Sequence, residues 1–546
     1  MNLSGGEAIV RSLINNGIGT LFGLPGAQIY PLFDALYQCS DRINTIVTRH
    51  EQGAAYMAFG YAKSSGRPSA YTVVPGPGVL NTTAALATAW GCNTPVLCIT
   101  GQVPSEFIGY GRGHLHEIPD QLATLRSLTK WSQRIDDIST TPEIVNEALV
   151  RMQTGRPGPV ALEMCWDTMA EKTDIELIPG AQIPDPGALD PESIDAAAQR
   201  LAHAKRAMIM VGGGAQHAAP EVLALAELLN APVTAFRSGR GVVAEDHPLG
   251  VSATAAHELW RDTDVIIGIG TRLELQYMRW AERNRLFRRP TGPALIRIDI
   301  DAVEMQRLVP EIGIVGDARK ATAALVDKLA STGTAPQRTR EQIAAAKTAA
   351  RARIEKIQPQ LAYLDVIREV LPRDGFFVEE LCQVGFTSYF GFPVYQPRTY
   401  VTPGFQGTLG FGFQTALGVK VAHPDRAVVS ITGDGGFMFG VQELATAAQY
   451  NIGVVTLVFN NQSFGNVRRD QENLLGGRVI GVDFNNPDFL KLADSFGVAG
   501  RRVASPTQLK PVLAQAIEAD APVLIEVVIE KGSEASPWEF IHPPVS

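Results

Sequence analysis

One rhythm recurs along this chain: a short β-branched run, a Gly or Pro turn, then an Ala-rich stretch with helical spacing. Such alternation predicts an α/β chain of mainly parallel sheets, because a strand that returns in the same direction needs a crossover helix on the sheet face. The first stretch offers strands at 20–23, 45–48 and 70–74 and helices near 27–36, 51–62 and 79–90. The segment IPGAQIPDPGALDPES at 178–193 is rich in Pro and Gly and reads as a linker. A second stretch has strands at 208–211, 265–268 and 295–300, and a third at 426–432, 453–460 and 523–528. Between the second and third, the region 335–357, with its run TREQIAAAKTAARARIEK, reads as an exposed connecting helix.

At roughly 100–200 residues per domain, the 546 residues suggest three domains, at 1–175, 190–332 and 360–546, with a connecting segment at 333–359. The first and third stretches share a plan but do not align residue by residue, so duplication is only a suspicion. Hydrophobic residues at 45% and charged residues at 19% exclude a disordered chain. A net charge of −8 gives no electrostatic reason to expect a nucleic-acid partner. No apolar run reaches the roughly 18 residues of a membrane helix, and no basic, apolar leader opens the chain. Cys39, Cys92, Cys98, Cys165 and Cys382 form no CxxC pair and no metal-ligand spacing, which fits a reducing cytoplasm.

The most informative segment is RAVVSITGDGGFMFGVQELATAAQYNIGVVTLVFNNQSFGNV. A strand ends in Gly433-Asp434-Gly435-Gly436, a helix follows, and a second strand ends in Asn460-Asn461. One right-handed crossover would bring both strand ends to the carboxyl edge of the sheet, where open α/β sheets bind ligands. Glycines there let phosphate oxygens approach the backbone. Asp434 offers an anionic oxygen, the Asn461 side chain a neutral one and Ser463 a backbone carbonyl, a set suited to a Mg²⁺ that also holds a diphosphate. The alternative is a tight strand–helix turn with Asp434 as its cap.

GDG, an intervening crossover and NN resemble the signature of thiamine-diphosphate enzymes, and the text from Gly433 to Gly465 is similar to the acetolactate synthase and pyruvate oxidase branch. The resemblance covers nearly the whole chain. It implies two thiamine-diphosphate-binding folds, an aminopyrimidine-binding domain first and a diphosphate-binding domain last, around a central Rossmann-like domain. It implies thiamine diphosphate and Mg²⁺ as cofactors, with Asp434, Asn461 and Ser463 on the metal. Gly433, Gly435, Gly436, Phe437, Phe464 and Gly465 would line the cofactor's diphosphate end, and Pro25, Gly26, Pro75 and Asn81 its ring end. Leu409 matches the apolar residue that props the cofactor into a bent shape. By likeness to the RHE/THE motif, Glu51 in Thr48-Arg49-His50-Glu51 is the acid that hydrogen-bonds the aminopyrimidine. An ordinary dipole partner in a first helical turn is the other reading of such a Glu. In this family the acid and the metal site come from different subunits, which implies a homodimer at least, commonly a homotetramer.

The implied activity is a carboligase that removes CO₂ from a 2-oxo acid such as pyruvate and adds the remaining acyl unit to a second carbonyl. The alternative is a 2-oxo acid decarboxylase, or an acyloin lyase or ligase like benzaldehyde lyase. Three departures from the synthase pattern motivate it. His116 stands where the branch has Gln, and can donate or accept a proton. In Arg272-Leu273-Glu274-Leu275-Gln276, Gln276 replaces the arginine assigned to the acceptor carboxylate. Asp470 stands where a Trp is expected. In the central domain, Gly212–Gly214, Ser238-Gly239-Arg240-Gly241, Gly270-Thr271-Arg272 and 298–301 resemble the places where the branch holds FAD, which stays an open option.

Overall fold

A computed structural model describes residues 1–273, 276–281, 292–334 and 338–543. Among them lie three six-stranded sheets, all of whose pairings are parallel, and a two-stranded antiparallel ribbon joining Asn2–Ser4 to Lys172–Asp174. The expected α/β architecture is what the chain adopts.

The first sheet runs across its width as Asn44–Val47, Thr20–Gly23, Ser69–Val73, Val96–Gln102, Val160–Cys165 and Trp131–Ile135. The third runs as Tyr400–Val401, Phe376–Val378, Val428–Gly433, Val454–Asn460, Val523–Val528 and Ala499–Val503. Ranked by chain order, both read 2-1-3-4-6-5. The shared plan seen in the sequence is therefore a shared topology. The central sheet instead reads 3-2-1-4-5-6, the order of dinucleotide-binding folds. Its strands Ala207–Val211 and Val265–Ile269 are buried along their whole length, as continuous apolar runs in a doubly covered sheet must be.

Local expectations hold with corrections. The helix expected near 27–36 begins at Tyr30, because Gln28 takes a positive φ of 69° and the turn before it cannot be helical. The helix expected over 79–90 is two pieces, Pro77–Asn81 and Thr83–Gly91. The crossover after GDG is also broken, into Asp434–Phe437 and Leu444–Gln449, with a 3₁₀ turn at Val441–Glu443. Gly435, Gly436 and Gly440 weaken continuous helix there. The linker ends at Asp190, which caps the helix Pro191–Ala202. The connecting helix Arg340–Ile354 is not fully exposed: Ile343, Ala346, Ala350 and Ile354 bury one stripe, the first three in the central core.

The outer domains meet through two helices, Glu51–Ser65 and Phe411–Ala422, whose residues enter one hydrophobic core. Their backbones approach too closely for a side chain. A Cβ on Gly418 would lie 1.9 Å from the Met57 carbonyl oxygen, and one on Gly60 2.1 Å from that of Thr415. Neither obstacle is a flexible side chain, so the helices would have to part. Gly418→Ala is expected to lower stability by roughly 1–3 kcal/mol, as overpacked cores do, read as a drop in the urea midpoint of the apoprotein. An unchanged midpoint would show that this crossing is looser than the geometry requires.

Candidate functional site

Two groups of residues gather at carboxyl edges. At the first sheet, Glu51 opens a 15-residue helix whose body is almost wholly buried. The preceding His50 caps it, its ring accepting from the Gln52 amide at 3.1 Å. One Glu51 carboxylate oxygen accepts from Asn81 Nδ2 at 2.9 Å and lies 4.0 Å from His50 Nδ1; the side chain is 14% exposed. The backbone just before it is held from the other domain: Glu443, fully buried, accepts from the Arg49 and His50 amides at 2.9–3.2 Å and from Thr446 at 2.6 Å. Burial raises the Glu443 carboxyl above its ordinary range, against these donors.

His116 sits over the Pro75-Gly76-Pro77-Gly78 turn. A Cβ on Gly76 would meet the His116 carbonyl oxygen at 2.2 Å, so only glycine fits there. His116 itself has a φ of 67°, and its Nδ1 pairs with Gln28 Oε1 at 2.6 Å. Burial lowers its pKa, while the charge of Glu51 works the other way. Glu51, Asn81 and His116 are thus neighbours, as are the buried Pro75 and, through Val74, Gly26; Pro25 is exposed beside them.

At the third sheet, Asp434 is 2% exposed. One of its oxygens accepts from the Gly435 amide and the other from Asn486 Nδ2, at 3.0 and 2.7 Å. Asn486 also donates to Asn460 Oδ1 at 2.9 Å, so it ties the GDG turn to the NN turn. Asn461 Oδ1 accepts from the Ser463 amide at 3.1 Å, and its Nδ2 donates to Glu534 at 2.7 Å. Burial pushes Glu534 up to about 7; Asn461 and Arg469 oppose this, and the charge of Asp434 adds to it. Burial likewise raises Asp434.

The glycines have reasons beyond ligand approach. A Cβ on Gly435 would strike the Phe464 ring at 2.5 Å, and one on Gly436 would strike Glu380 at 2.1 Å. The Phe437 side chain packs in the core on Phe413 and Phe489, leaving only its backbone toward the edge. Phe464 packs edge-on against Phe484, with Gly465 next to the Asn461 amide. Leu409 is half-buried between Thr408, which accepts from Tyr56, and Gly410, whose φ is 79°. None of the polar contacts of Glu51 involves the third sheet, and none of those of Asp434 involves the first.

These residues fit a metal-held anion. The buried Asp434 and the half-buried Glu534 feel each other's charge, and neither forms an ion pair with Lys or Arg among the described residues. The buried Ser463 hydroxyl has no partner. A divalent cation would compensate such a site, since buried charge needs a counter-charge.

Sequence reasoning missed Asn486, Glu534 and Glu443. The Asn485-Asn486 pair was a visible signal; Glu443 and Glu534 carry none, because their partners are distant in the chain. Gln276 is buried and donates to Thr234 at 3.2 Å, while Glu274 and Leu275 lie outside the described residues. Asp470 is half-buried, 3.4 Å from Asn466 Nδ2. In the central domain, Gly213, Gly214, Ser238, Gly270–Arg272 and Asp299-Ile300 line a cavity of about 370 Å³, which Lys63, Arg156 and Arg398 of the neighbouring stretches also line. Gly212 is required by its own fold: a Cβ there would meet the Gly270 carbonyl at 2.3 Å.

Three family profiles match this chain: "Thiamine pyrophosphate enzyme, N-terminal TPP binding domain" over residues 3–124, the central domain over 194–325 and the C-terminal TPP binding domain over 382–527. The chain belongs to the thiamine pyrophosphate enzymes. A probable acetolactate synthase large subunit of Methanococcus aeolicus is 34% identical, over 98% of this chain and 93% of its own. A probable 2-ketoarginine decarboxylase of Pseudomonas aeruginosa is also 34% identical, over 96% and 94%. The acetolactate synthase isozyme 3 large subunit of Escherichia coli K12 is 29% identical, over 98% and 97%. No helix among the described residues is long and apolar enough to cross a membrane.

Glu379 and Glu380, fully buried behind the GDG turn, are both pushed up to about 7 by burial. An acid whose pKa rises on folding stabilises the fold below its unfolded pKa, and that contribution is lost as pH rises through the folded value. Stability should therefore fall as pH climbs from the ordinary carboxylate range through about 7. Glu380→Gln should flatten that slope in denaturation series across the interval; a slope identical to the parent's would refute the assignment.

Proposed function

We propose that this thiamine-diphosphate enzyme is a carboligase of the acetolactate synthase type, with pyruvate as its first 2-oxo acid and Mg²⁺ as its metal. In this reading the domains are 1–175, 190–332 and 360–546, joined by 333–359. The observation that carries it is the pair of strand ends that bear Asp434, Asn461 and Ser463, with the half-buried Glu534 carboxylate accepting from Asn461. Thiamine diphosphate, when bound, supplies an electron sink for the loss of CO₂. Asp434, the Asn461 amide oxygen and the Ser463 carbonyl hold Mg²⁺, and Gly433, Gly435 and Gly436 keep the surrounding backbone close. Glu51 would hydrogen-bond the aminopyrimidine nitrogen, its position maintained by Asn81 and by the Glu443-anchored turn. His116, kept neutral near pH 7 by its lowered pKa, takes or returns a proton at the substrate.

Because Glu51 and Asp434 share no contacts, the reading needs a partner subunit, and a homodimer or homotetramer is proposed. Exposed Leu80, Trp90, Phe405 and Phe439 supply apolar surface for it. The five free cysteines, four of them buried, fit a cytoplasmic enzyme. FAD, where the protein carries it, would lie in the cavity between Gly213 and Arg398; a visible spectrum of the purified protein decides this.

The second reading, a 2-oxo acid decarboxylase or acyloin lyase, is favoured by one observation. The Gln276 amide is buried against Thr234, so this position itself supplies no cation for an acceptor carboxylate. The relative named as a 2-ketoarginine decarboxylase agrees with it. Product analysis separates the two. Acetolactate from pyruvate alone supports the first, and aldehyde or mixed acyloin without acetolactate supports the second. Glu51→Gln should lower turnover by roughly 10²–10⁴-fold, the range for a lost general acid, while thiamine diphosphate still binds in calorimetry. Unimpaired turnover would overturn the role of Glu51.

A further inference from the structure

We infer that Glu534 is a positioning residue that fixes the side-chain orientation of Asn461, so that the C-terminal segment completes the metal site. The inference rests on the cofactor reading of residues 433–463. Beyond the last strand in sequence, Val523–Val528, the chain turns back along the carboxyl edge of the third sheet, with Ile529 donating to the Asn460 carbonyl at 2.9 Å. Its path is pinned just after Glu534. The Ala535 amide donates to the Gln358 carbonyl at 3.1 Å, and Gln360 Nε2 donates to the Ala535 carbonyl at 2.6 Å. Trp538 Nε1 donates to Asn466 Oδ1 at 2.8 Å, and its ring packs on Phe386.

The pinned carboxylate does something specific to Asn461. A primary amide has a donor end and an acceptor end of nearly the same shape, and only the acceptor end can hold a cation. Glu534 accepts from the donor end at 2.7 Å. Turned over, the amide would set its oxygen against a carboxylate oxygen, which repels it. The amide oxygen is therefore directed away, where it accepts the Ser463 amide and keeps a lone pair for a metal. The neighbouring Asn460 is held on the same plan, its Nδ2 donating to the buried Glu526 at 2.7 Å and its Oδ1 accepting from Gln462. Two adjacent asparagines whose donor ends are each taken by a carboxylate from the C-terminal strand or tail argue that orientation, and not mere packing, is what these acids supply. Glu534 makes no ion pair among the described residues that would give it another purpose; the nearest cation acting on it, Arg469, bonds Gln383 and Asn466 instead.

The test is the Mg²⁺ dependence of thiamine diphosphate binding to the full-length protein, followed by calorimetry. Glu534→Ala, and Glu534→Asp, whose shorter side chain cannot reach, should raise the Mg²⁺ half-saturation by about 10–100-fold, as loss of a residue that orients a ligand does. Glu534→Gln should restore it to within about threefold, because its carbonyl still accepts the Asn461 N–H. In an Asn461→Ala background, Glu534→Ala should add nothing. Melting of each apoprotein reports whether it folds, and Glu534→Asp serves if the alanine variant does not. Parent-like Mg²⁺ dependence in Glu534→Ala or Glu534→Asp would overturn the inference. So would a Glu534→Gln as weak as the alanine variant, since the negative charge itself would then be what the metal needs. Asp434→Ala is the control: if it too leaves Mg²⁺ dependence unchanged, it is the cofactor reading that fails.

Discussion

A helix crossing with no space for a Cβ holds the outer sheets together, and the site depends on it. Gly60 and Gly418 let Glu51–Ser65 lie directly on the backbone of Phe411–Ala422. That contact brings the carboxylate of Glu443 under the turn that precedes Glu51. A buried carboxylate is expensive unless its lone pairs are filled, and here two backbone amides and a hydroxyl fill them. The turn cannot shift without stranding the charge. The acid of one domain is thus placed by an acid of another, nine positions beyond Asp434 in the chain.

The carboxyl edge of the third sheet follows a second electrostatic logic. Among the described residues, two of its acids meet amides and no arginine or lysine in an ion pair, Asn486 on Asp434 and Asn461 on Glu534, while Asn460 donates to a third, Glu526. An amide satisfies hydrogen bonding without cancelling charge, so the negative potential of the edge survives burial. A cation-binding site needs that residual potential, whereas a purely structural cluster would be better served by an ion pair. Glu526 shows the contrast, because its other oxygen does pair with Arg502, at 2.7 Å on the side facing solvent.

Much of this was legible in the sequence. The period of strand and helix identified parallel sheets, and GDG with NN marked where two adjacent strands end. A right-handed crossover already implied that both strand ends share one edge; that the strands are neighbours is seen in the sheet. What could not be read were contacts across domains. Glu443 lies 393 positions from His50, and Glu534 lies 73 from Asn461; no local pattern distinguishes either from a surface glutamate. Helix continuity also differs from the pattern after Gly433, where glycines weaken it, and over 79–90, where the helix is in two pieces. The glycines were read as making room for a ligand, while at Gly435 and Gly436 the chain's own Phe464 and Glu380 already claim that space.

The departures from the synthase pattern carry weight according to what each side chain is already bonded to. A replaced arginine could be compensated if its successor still faced the substrate. Gln276 does not offer this, since its amide is buried and donates to Thr234 inside the central domain. Asp470 adds a negative charge on the helix Gly465–Leu474, close to Asn466. Arg469 beside it is engaged with Gln383 and Asn466. An incoming second 2-oxo acid would therefore meet one charge of its own sign and no uncommitted cation from these three positions. An uncharged carbonyl compound, or a substrate whose far end is itself cationic, meets no such barrier, because charge selectivity at a desolvated site follows from what is left unpaired.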